Sequence, residues 1–383
     1  MRDTPTSSSF TAHDQVAMAQ ALTRAAQGIG LTDPNPRVGC VISDGRGHVL
    51  GAGHTQQAGG PHAEIMALRA AQADGHDVRG ATVHVTLEPC AHHGRTPPCA
   101  DALVAAGVGR VVAAVLDPNP LVAGQGLARL QAAGIQVAHG LMADAARELN
   151  IGFFSRMLRG RPWVRLKVAA SLDGRTALPD GTSQWITGPE ARTDGHAWRR
   201  RAGAVLTGIG TVREDDPRLD VRLVPTACQP LRVVLDARLD TPPSARLLEA
   251  PGDVLLCCTA SALNSPRASA LSRPNVTLAA VQTDASGWID LQAVLETLAQ
   301  RGVNELHIEA GQHLNGSFVR AGLVDEYLVY LAPRLIGAGR DMAAFGPLAA
   351  LTDATPLVFT DMTRVGGDVR LMARSATGFG SPA

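Results

Sequence analysis

Short apolar segments alternate with segments of helical periodicity along nearly the whole chain. The run "RVVAAVL" (110–116) has only one polar side chain, as expected of a strand buried in a parallel sheet. Residues 62–73 and 100–106 place their apolar side chains at helical spacing instead. Because strands that alternate with helices form layered α/β domains, the first part of the chain is predicted to be one. Further elements are predicted as strands over 38–42, 82–87 and 135–137 and as a helix over 127–134.

The same alternation starts again after "RGRP" (159–162), which follows a predicted helix over 143–158 and is interpreted as a hinge. A chain of 383 residues is also too long for one ordinary core, since domains average roughly 100–200 residues. We therefore expect two α/β domains, over 10–155 and 160–376. The second is predicted to contain strands over 163–171, 204–208, 231–237, 253–258, 305–310 and 325–335 and helices over 189–202 and 291–301.

Charge and composition exclude several classes of protein. Lys+Arg and Asp+Glu balance at 35 each, whereas nucleic-acid-binding proteins usually carry a basic excess. The first ten residues lack the apolar region of a secretory signal, and no apolar run approaches the ~20 residues of a membrane span. The six cysteines show no disulfide-framework spacing. We expect a reduced, cytoplasmic protein that binds neither nucleic acid nor membrane.

A histidine, a carboxylate and two cysteines indicate a zinc site. A catalytic zinc takes three protein ligands and one water, and His62, Cys90 and Cys99 supply one imidazole and two thiolates. Glu64 follows His62 on the same predicted helix, where it can reach the water without binding the metal. Cys99 begins another predicted helix, whose dipole favours a thiolate. This arrangement is typical of zinc deaminases, in which a glutamate that is not a ligand carries protons.

The spacing of the two cysteines departs from the P-C-x-x-C pattern of those deaminases. Eight residues, "AHHGRTPP", separate Cys90 from Cys99. A closed structural zinc and plain buried cysteines are the alternatives. Three ligand-type side chains with one carboxylate favour an open, catalytic site over a closed tetrad.

Two glycine-bearing turns in the second domain follow predicted strands. "TGIGTVREDDPRL" (207–219) is not a dinucleotide fingerprint, because Arg213 occupies the position of the third glycine in G-x-G-x-x-G. Its backbone, and the helix start in "EAGQHLNGSF" (309–318), could still approach a phosphate. Lys167 lies inside an otherwise apolar strand and needs a ligand, an ion pair or a solvent-facing position. Two such turns indicate a nucleotide cofactor, although tight turns without a ligand share the pattern.

Longer motifs resemble a known family. "TDPNPRVGCVI", "PHAEIMAL" and "VTLEPCAHHGRTPPCADALVAAGV" resemble the deaminase half of the bifunctional riboflavin-biosynthesis deaminase/reductases, whose cysteine spacing includes the same insert. "LKVAASLDGRTA", "GTSQWITGPEAR", "GIGTVREDDPRLDVR" and "IEAGQHLNGSF" resemble the reductase half. The matches run from about residue 13 to 375. The resemblance implies an N-terminal cytidine-deaminase-like three-layer domain followed by a dihydrofolate-reductase-like α/β domain.

The resemblance also implies the site residues of the deaminase half. One Zn²⁺ per chain would be held by His62, Cys90 and Cys99, with Glu64 as the catalytic proton carrier. The substrate would be held by Asn35, His54, His92 and Arg95. An arginine suits a phosphate, and an asparagine can pair with a ring amide edge.

For the reductase half, the resemblance implies NADPH and a phosphoribosyl substrate. The residues expected to line NADPH are Ala169, Trp185, Thr211, Asp215, Gly311, Gln312, His313, Leu314, Asn315, Gly316 and Ser317. Those expected to contact the substrate are Lys167, Ser183, Arg199, Leu219, Arg222 and Glu309. The family also self-associates through this domain, so a homo-oligomer is expected.

The implied activities are those of a hydrolase and an oxidoreductase. Zinc-dependent deamination of diaminohydroxyphosphoribosylaminopyrimidine would be followed by NADPH reduction of the ribosyl side chain to ribityl. The alternatives are a deaminase of nucleosides or tRNA with a C-terminal binding domain, and a zinc-stabilised scaffold without catalysis. Balanced charge and the long cysteine spacing count against the first, and the intact site motifs of both halves count against the second.

Overall fold

The computed structural model describes residues 10–92, 97–120, 122–376 and 379. Contacts between Cα atoms divide the chain into two compact units, Met1–Arg159 and Gly160–Ala383. Among the described residues, no helix combines the length and the apolar character that crossing a membrane requires.

The first unit alternates helices and strands. Its helices are α1 Ala12–Ala26, α2 Ala63–Ala73, α3 Cys99–Ala105, α4 Gln125–Ala132, α5 Ala143–Leu149 and α6 Ile151–Arg159. Its strands are β1 Gly39–Ser43, β2 Val49–His54, β3 Thr82–Val85, β4 Arg110–Ala113 and β5 Gln136–His139.

These strands form one five-stranded sheet in the order β2-β1-β3-β4-β5. β1 runs antiparallel to both β2 and β3, whereas β3, β4 and β5 are mutually parallel. Glycines let helices lie directly on the antiparallel edge: a Cβ on Gly51 would lie 2.3 Å from the carbonyl oxygen of Ala67 in α2. The start of α2 is thereby held against the sheet.

A buried carboxylate attaches α1 to the sheet. Asp14 closes a capping box with Thr11 at the start of α1. Its Oδ1 also lies 2.8 Å from Nε2 of His84 in β3 and accepts a 2.7 Å hydrogen bond from Nη1 of Arg110 in β4. Burial alone would raise the pKa of Asp14, but Arg110 and His84 hold it well below its usual range. One side chain therefore joins three elements.

The second unit is larger. Its strands are β6 Trp163–Ser171, β7 Arg175–Ala177, β8 Ala204–Gly208, β9 Leu231–Leu235, β10 Val254–Cys258, β11 Val276–Ala280, β12 Glu305–Ile308, β13 Glu326–Ala332, β14 Arg340–Asp341, β15 Leu357–Val365 and β16 Asp368–Ser375. Its helices are α7 Pro189–Arg201, α8 Ile209–Asp215, α9 Arg246–Glu249, α10 Pro266–Ala270, α11 Leu291–Gln300 and α12 Gln312–Arg320, with 3₁₀ turns at Ala262–Asn264 and Leu351–Asp353.

Nine of these strands form a mixed sheet in the order β11-β10-β9-β8-β12-β6-β13-β16-β15, while β7 and β14 pair separately. The strands from β11 to β13 are parallel, and β16 and β15 add an antiparallel edge. On one face, Leu206 and Ile308 pack with Leu295 of α11 and Phe318 of α12. The carboxyl ends of parallel strands lie at one edge of the sheet. The residues that follow β6, β8 and β12 therefore lie close together at that edge.

The predicted two-part α/β organisation and most predicted elements are confirmed, but one helix was wrong. The helix expected over 143–158 is two helices that meet at Asn150. The Asn150 side chain accepts a 2.7 Å hydrogen bond from the backbone N–H of Arg37 and donates a 2.9 Å bond to its carbonyl oxygen. This tertiary pairing ends α5 where periodicity alone predicts continuation. Several strands were not predicted, namely β2, β7, β11, β14, β15 and β16.

We predict that Gly39→Ala destabilises the first unit. A Cβ at Gly39 would lie 1.9 Å from the carbonyl oxygen of Ala21, so β1 and α1 must separate. Overpacking of this kind costs about 1–3 kcal/mol. Urea unfolding followed by far-ultraviolet circular dichroism measures the loss. Gly45→Ala is the control, because a Cβ there meets nothing within 4 Å. Equal unfolding midpoints for the two variants would contradict the packing described for β1.

Candidate active sites

The start of α2 and the start of α3 bring three potential metal ligands together. His62 is the extended N-cap residue of α2, and Glu64 lies in its first turn. Cys99 is the first residue of α3. Cys90 follows β3, and its carbonyl oxygen accepts a 3.1 Å hydrogen bond from the backbone N–H of Ala100.

The distances in this cluster suit one tetrahedral zinc. The ligand atoms of His62, Cys90 and Cys99 all lie within 4.8 Å of one another. Nδ1 of His62 is 3.7 Å from Sγ of Cys90 and 3.3 Å from Sγ of Cys99. Tetrahedral zinc with ordinary Zn–N and Zn–S bonds requires an N···S separation of about 3.6 Å. The residues expected from the sequence to bind zinc are therefore already spaced for the metal.

Electrostatics in the cluster favour a thiolate. The Cys99 thiol donates a hydrogen bond to the Cys90 sulfur. This bond, together with His62, lowers the pKa of Cys90 to about 4. The same bond raises the pKa of Cys99. Glu64 is only 3% exposed, and burial together with the Cys90 charge raises its pKa to about 7. The cluster thus combines an anionic sulfur with a buried carboxyl group.

Glu88, which the sequence analysis did not select, holds the loop beside the cluster. Its carboxylate accepts backbone hydrogen bonds from Gly124 at 2.9 Å, from Gly126 at 2.8 Å and from Asp117 and Leu127 at 3.2 Å. The side chain is 3% exposed. A buried carboxylate that accepts several backbone N–H groups fixes their positions firmly. Glu88 therefore sets the loop that follows β4.

Asp117 is a second residue that the sequence analysis did not select. Burial, assisted by the charges of Glu88 and Cys90, raises the pKa of Asp117 to about 6, while His92 opposes the rise. Asp117 is held on the loop that Glu88 fixes, because its backbone N–H donates to the Glu88 carboxylate. The available signal was its position after an apolar parallel strand, where ligand-binding residues of α/β proteins collect.

The residues expected to hold the deaminase substrate have different environments. Asn35 is half-buried and lies in a turn. Its backbone N–H closes the turn by donating a 2.9 Å hydrogen bond to the carbonyl oxygen of Thr32. His54 ends β2, and burial together with Arg24 lowers its pKa. His92 is exposed. Arg95 lies outside the described residues. The contacts of these side chains with a substrate stay a prediction.

In the second unit, three of the expected substrate residues meet around one carboxylate. Nη2 of Arg199 in α7 donates a 2.9 Å hydrogen bond to Oε2 of Glu309, which follows β12. Nζ of Lys167 in β6 lies 3.7 Å from the same oxygen. Burial alone would raise the pKa of Glu309, but Arg199 and Lys167 hold it well below its usual range. The half-buried Lys167 therefore has the ion pair that its apolar strand required.

A strained turn carries two more of the expected substrate residues, Leu219 and Arg222. Leu219 has φ +55° and is 2% exposed, a left-handed conformation that few non-glycine residues adopt. Asp220 accepts a 2.6 Å hydrogen bond from Nη1 of Arg222 and a 2.8 Å bond from Arg218. Its carbonyl oxygen accepts a 3.0 Å bond from Arg199. The turn thus gathers three guanidinium groups, which suit a phosphate.

The two glycine-bearing turns face each other, as a shared cofactor site requires. A Cβ on Gly208 would lie 3.1 Å from Cδ2 of Leu314, and one on Gly311 would lie 3.8 Å from Oγ1 of Thr211. Gly311 is the N-cap residue of α12, whose first N–H groups are free to meet a phosphate. The two turns therefore lie together at the carboxyl ends of β8 and β12.

The later residues of the 311–317 segment have other partners. Asn315 is buried and its amide donates a 2.8 Å hydrogen bond to the carbonyl oxygen of Met342. A Cβ on Gly316 would lie 2.0 Å from the carbonyl oxygen of Ala344, and Oγ of Ser317 donates to His313 at 3.0 Å. Their contacts with NADPH stay a prediction.

The remaining expected residues have separate contacts. Trp185 is 60% exposed, and the guanidinium carbon of Arg192 lies 4.5 Å from its ring centroid. Oγ of Ser183 lies 3.5 Å from Oδ1 of Asp215. Ala169 pairs in register with Tyr330.

Comparison with known proteins assigns a family to each of the two regions. The model of the cytidine and deoxycytidylate deaminase zinc-binding region matches residues 11–115, and that of the RibD C-terminal domain matches 162–371. Riboflavin biosynthesis protein RibD of Escherichia coli (strain K12) is 45% identical over 371 residues, 94% of this chain and 98% of the relative. The RibD protein of Mycobacterium tuberculosis is 40% identical, with coverage of 93% and 95%.

Solved structures agree as well. Acinetobacter baumannii RibD matches with a TM-score of 0.86 and 42% identity, covering 95% of this chain and 99% of that one. A diaminohydroxyphosphoribosylaminopyrimidine deaminase/5-amino-6-(5-phosphoribosylamino)uracil reductase from Thermotoga maritima matches with a TM-score of 0.84 and 32% identity, with the same coverage.

The chain belongs to the RibD family of bifunctional deaminase/reductases of riboflavin biosynthesis. Its first unit is the cytidine-deaminase-like, zinc-dependent deaminase, and its second is the NADPH-dependent reductase, which is dihydrofolate-reductase-like in fold. Both enzyme classes expected from the sequence, hydrolase and oxidoreductase, are confirmed, as are the expected cofactors.

We predict that Cys99→Ser weakens zinc binding by about 100-fold or more, because a neutral hydroxyl replaces a thiolate ligand. Competition with a fluorescent zinc chelator measures the affinity directly. Cys228→Ser is the matched control, since Cys228 is half-buried in the other unit. Stoichiometric zinc in Cys99→Ser after dialysis against the chelator would contradict the ligand set.

Proposed function

We propose that the two units catalyse consecutive steps on one phosphoribosyl pyrimidine. The first step converts diaminohydroxyphosphoribosylaminopyrimidine and water into the corresponding uracil and ammonia. The second reduces the ribosyl side chain and yields 5-amino-6-(5-phosphoribitylamino)uracil. The observation that supports this most directly is the pairing, in one chain, of the His62–Cys90–Cys99 cluster with the Glu309 ion-pair cluster.

In the deaminase unit, the bound zinc would be held by His62, Cys90 and Cys99 and would supply an activated water. Glu64 would take the water's proton, give it to the ring nitrogen and then assist departure of ammonia. Its place in the first turn of α2, two residues after a ligand, supports this role. A buried carboxyl group near the attacked carbon can exchange protons without competition from bulk water.

Substrate contacts in the deaminase would come from Asn35, His54, His92 and Arg95. We add Asp117 to this set because Glu88 fixes its loop and burial raises the pKa of its carboxyl group to about 6. A carboxylate there can accept hydrogen bonds from the amino groups of a diaminopyrimidine.

In the reductase unit, bound NADPH would supply a hydride to the former anomeric carbon. The amine nitrogen forms a double bond to that carbon while the bond between the carbon and the ring oxygen breaks. The ring oxygen takes a proton. Lys167 lies 3.7 Å from Glu309 and, unlike Arg199, can release a proton, so the Lys167–Glu309 pair would deliver it. Arg199 would hold Glu309, and Arg222 would meet the substrate phosphate.

The cofactor would lie on the edge formed by the two glycine-bearing turns. Thr211 and Asp215 belong to α8, and the 311–317 segment begins α12. Trp185 and Ala169, which lies in β6, would complete the NADPH surface. The contact between Gly208 and Leu314 supports this placement, because it brings the two turns together.

We assign the deaminase to residues 10–155 and the reductase to 160–376, in agreement with the contact division after Arg159. We also propose that the enzyme works in the cytoplasm and acts on a small molecule rather than on nucleic acid or membrane. Six free cysteines, two of them needed as thiolates, and equal counts of acidic and basic residues support this.

A homo-oligomer through the reductase unit would cover its exposed edge. β15 is the last strand of the nine-stranded sheet, and two of its apolar side chains, Phe359 and Met362, are 61% and 68% exposed. Long apolar edge strands associate with other chains unless they are covered. We propose that a second copy of this chain covers β15.

We predict that Glu64→Gln lowers the rate of ammonia release by about 10²–10⁴-fold, because the amide cannot carry the proton. NADPH oxidation with supplied deaminated intermediate should stay within about twofold of the wild-type rate, since that reaction belongs to the other unit. The reductase rate thus serves as the internal control for folding. Ammonia release near the wild-type rate would exclude Glu64 as the proton carrier.

We predict that Phe359→Lys reduces the molar mass in solution to that of one chain, because it places a charge on the β15 surface. Light scattering after size-exclusion chromatography measures the mass. Trp288→Lys is the control: Trp288 is 72% exposed and precedes α11, outside β15. A wild-type monomer, or an oligomer unchanged by Phe359→Lys, would contradict the assignment of this interface.

A further inference from the structure

A histidine lies directly behind the carboxylate of the reductase site. Side chains alternate along a strand, so Glu305, His307 and Glu309 share one face at β12. His307 pairs in register with Arg165 of β6. The imidazole is 0% exposed, so it touches neither solvent nor a ligand in the site.

The imidazole lies close to the Glu309 carboxylate. Nε2 of His307 lies 3.3 Å from Oε1 of Glu309. In the described part of the chain, neither ring nitrogen makes a hydrogen bond of good geometry. Buried polar groups nearly always have a hydrogen-bond partner, and catalytic hydrogen bonds are often poorly aligned until substrate binds. A small rotation of the ring or the carboxylate would align this pair.

The charges around His307 keep the ring neutral. Burial lowers the pKa of His307, and the positive charges of Arg165 and Arg199 lower it further. The Glu309 carboxylate acts in the opposite direction and raises the pKa. Arg165 is itself engaged by Glu305 at 3.0 Å and by Glu326 at 2.5 Å. A neutral imidazole has one N–H to donate, and Oε1 of Glu309 is the acceptor beside Nε2.

We infer that His307 is a positioning residue for the reductase, donating its Nε2–H to Oε1 of Glu309. The carboxylate is then held from three sides, by His307, by Arg199 and by Lys167. This inference rests on the proposed role of Glu309 in the reductase site. His307 itself touches neither substrate nor cofactor.

The donated hydrogen bond has a consequence for pH dependence. It favours the ionised form of Glu309, so its loss raises the pKa of Glu309 and moves the acidic limb of the reductase profile to higher pH. The charged and titratable groups that face Glu309 from its neighbours are Arg199 and His196 of α7, Lys167 of β6, Tyr330 of β13 and His307.

The test compares His307→Met and His307→Gln in the full chain loaded with zinc. Methionine fills the space without a donor, whereas glutamine retains an N–H near Nε2. With deaminated intermediate and NADPH, we expect His307→Met to lose about tenfold in kcat, with its acidic limb moved upwards. His307→Gln should recover kcat to within about threefold of wild type. Ammonia release by the same samples should be unchanged.

Three results would overturn the inference. The first is a wild-type kcat and pH profile in His307→Met. The second is a loss of kcat in His307→Gln as large as in His307→Met, and the third is a loss of kcat without movement of the acidic limb. The last two would indicate a packing role alone. If His307→Met does not fold, His307→Gln alone tests the inference. A kcat below one third of wild type without a shift of the acidic limb would then overturn it. Glu309→Gln tests the underlying role separately, because its full activity would remove Glu309 from the reaction.

Discussion

Each half depends on one largely buried carboxyl group whose ionisation is determined by the charged side chains around it. Glu64 is 3% exposed beside a thiolate, which favours the protonated form. Glu309 is held between Arg199 and Lys167, which favour the ionised form. Because a buried charge is costly unless it is paired, each environment determines the task its carboxylate can perform. One can exchange a proton, and the other can hold cations in place.

How well the sequence predicted the fold depended on what each element packs against. Strands buried on both faces, such as "RVVAAVL", are recognisable because their apolar runs are unbroken. β2 was missed since its glycines weaken the strand pattern, yet Gly51 and Gly53 are what allow α2 to approach. β15 was missed because its pattern lacks a buried face: its residues are largely exposed. The split at Asn150 depends on a tertiary hydrogen bond that periodicity cannot show.

The sites were predictable to a different degree. Side-chain chemistry alone suggested His62, Glu64, Cys90 and Cys99, because zinc selects few residue types, and the structure places the three ligands together. The reductase residues required the resemblance to known sequences, since no residue type by itself marks a phosphoribosyl site. Residues that act through others escaped both approaches. Glu88 fixes a loop through backbone groups far along the chain, and the contact of His307 with Glu309 depends on the strand geometry that the structure shows.

The most direct test of a deaminase and a reductase in one chain supplies freshly made diaminopyrimidine phosphate to the purified, zinc-loaded protein. Ammonia and NADPH absorbance are followed together, with and without NADPH. We predict ammonia release without NADPH, and NADPH oxidation only when substrate is present. NADPH oxidation that precedes or proceeds without ammonia release would contradict the proposed order. Ammonia release with no oxidation of NADPH would contradict the assignment of the second unit.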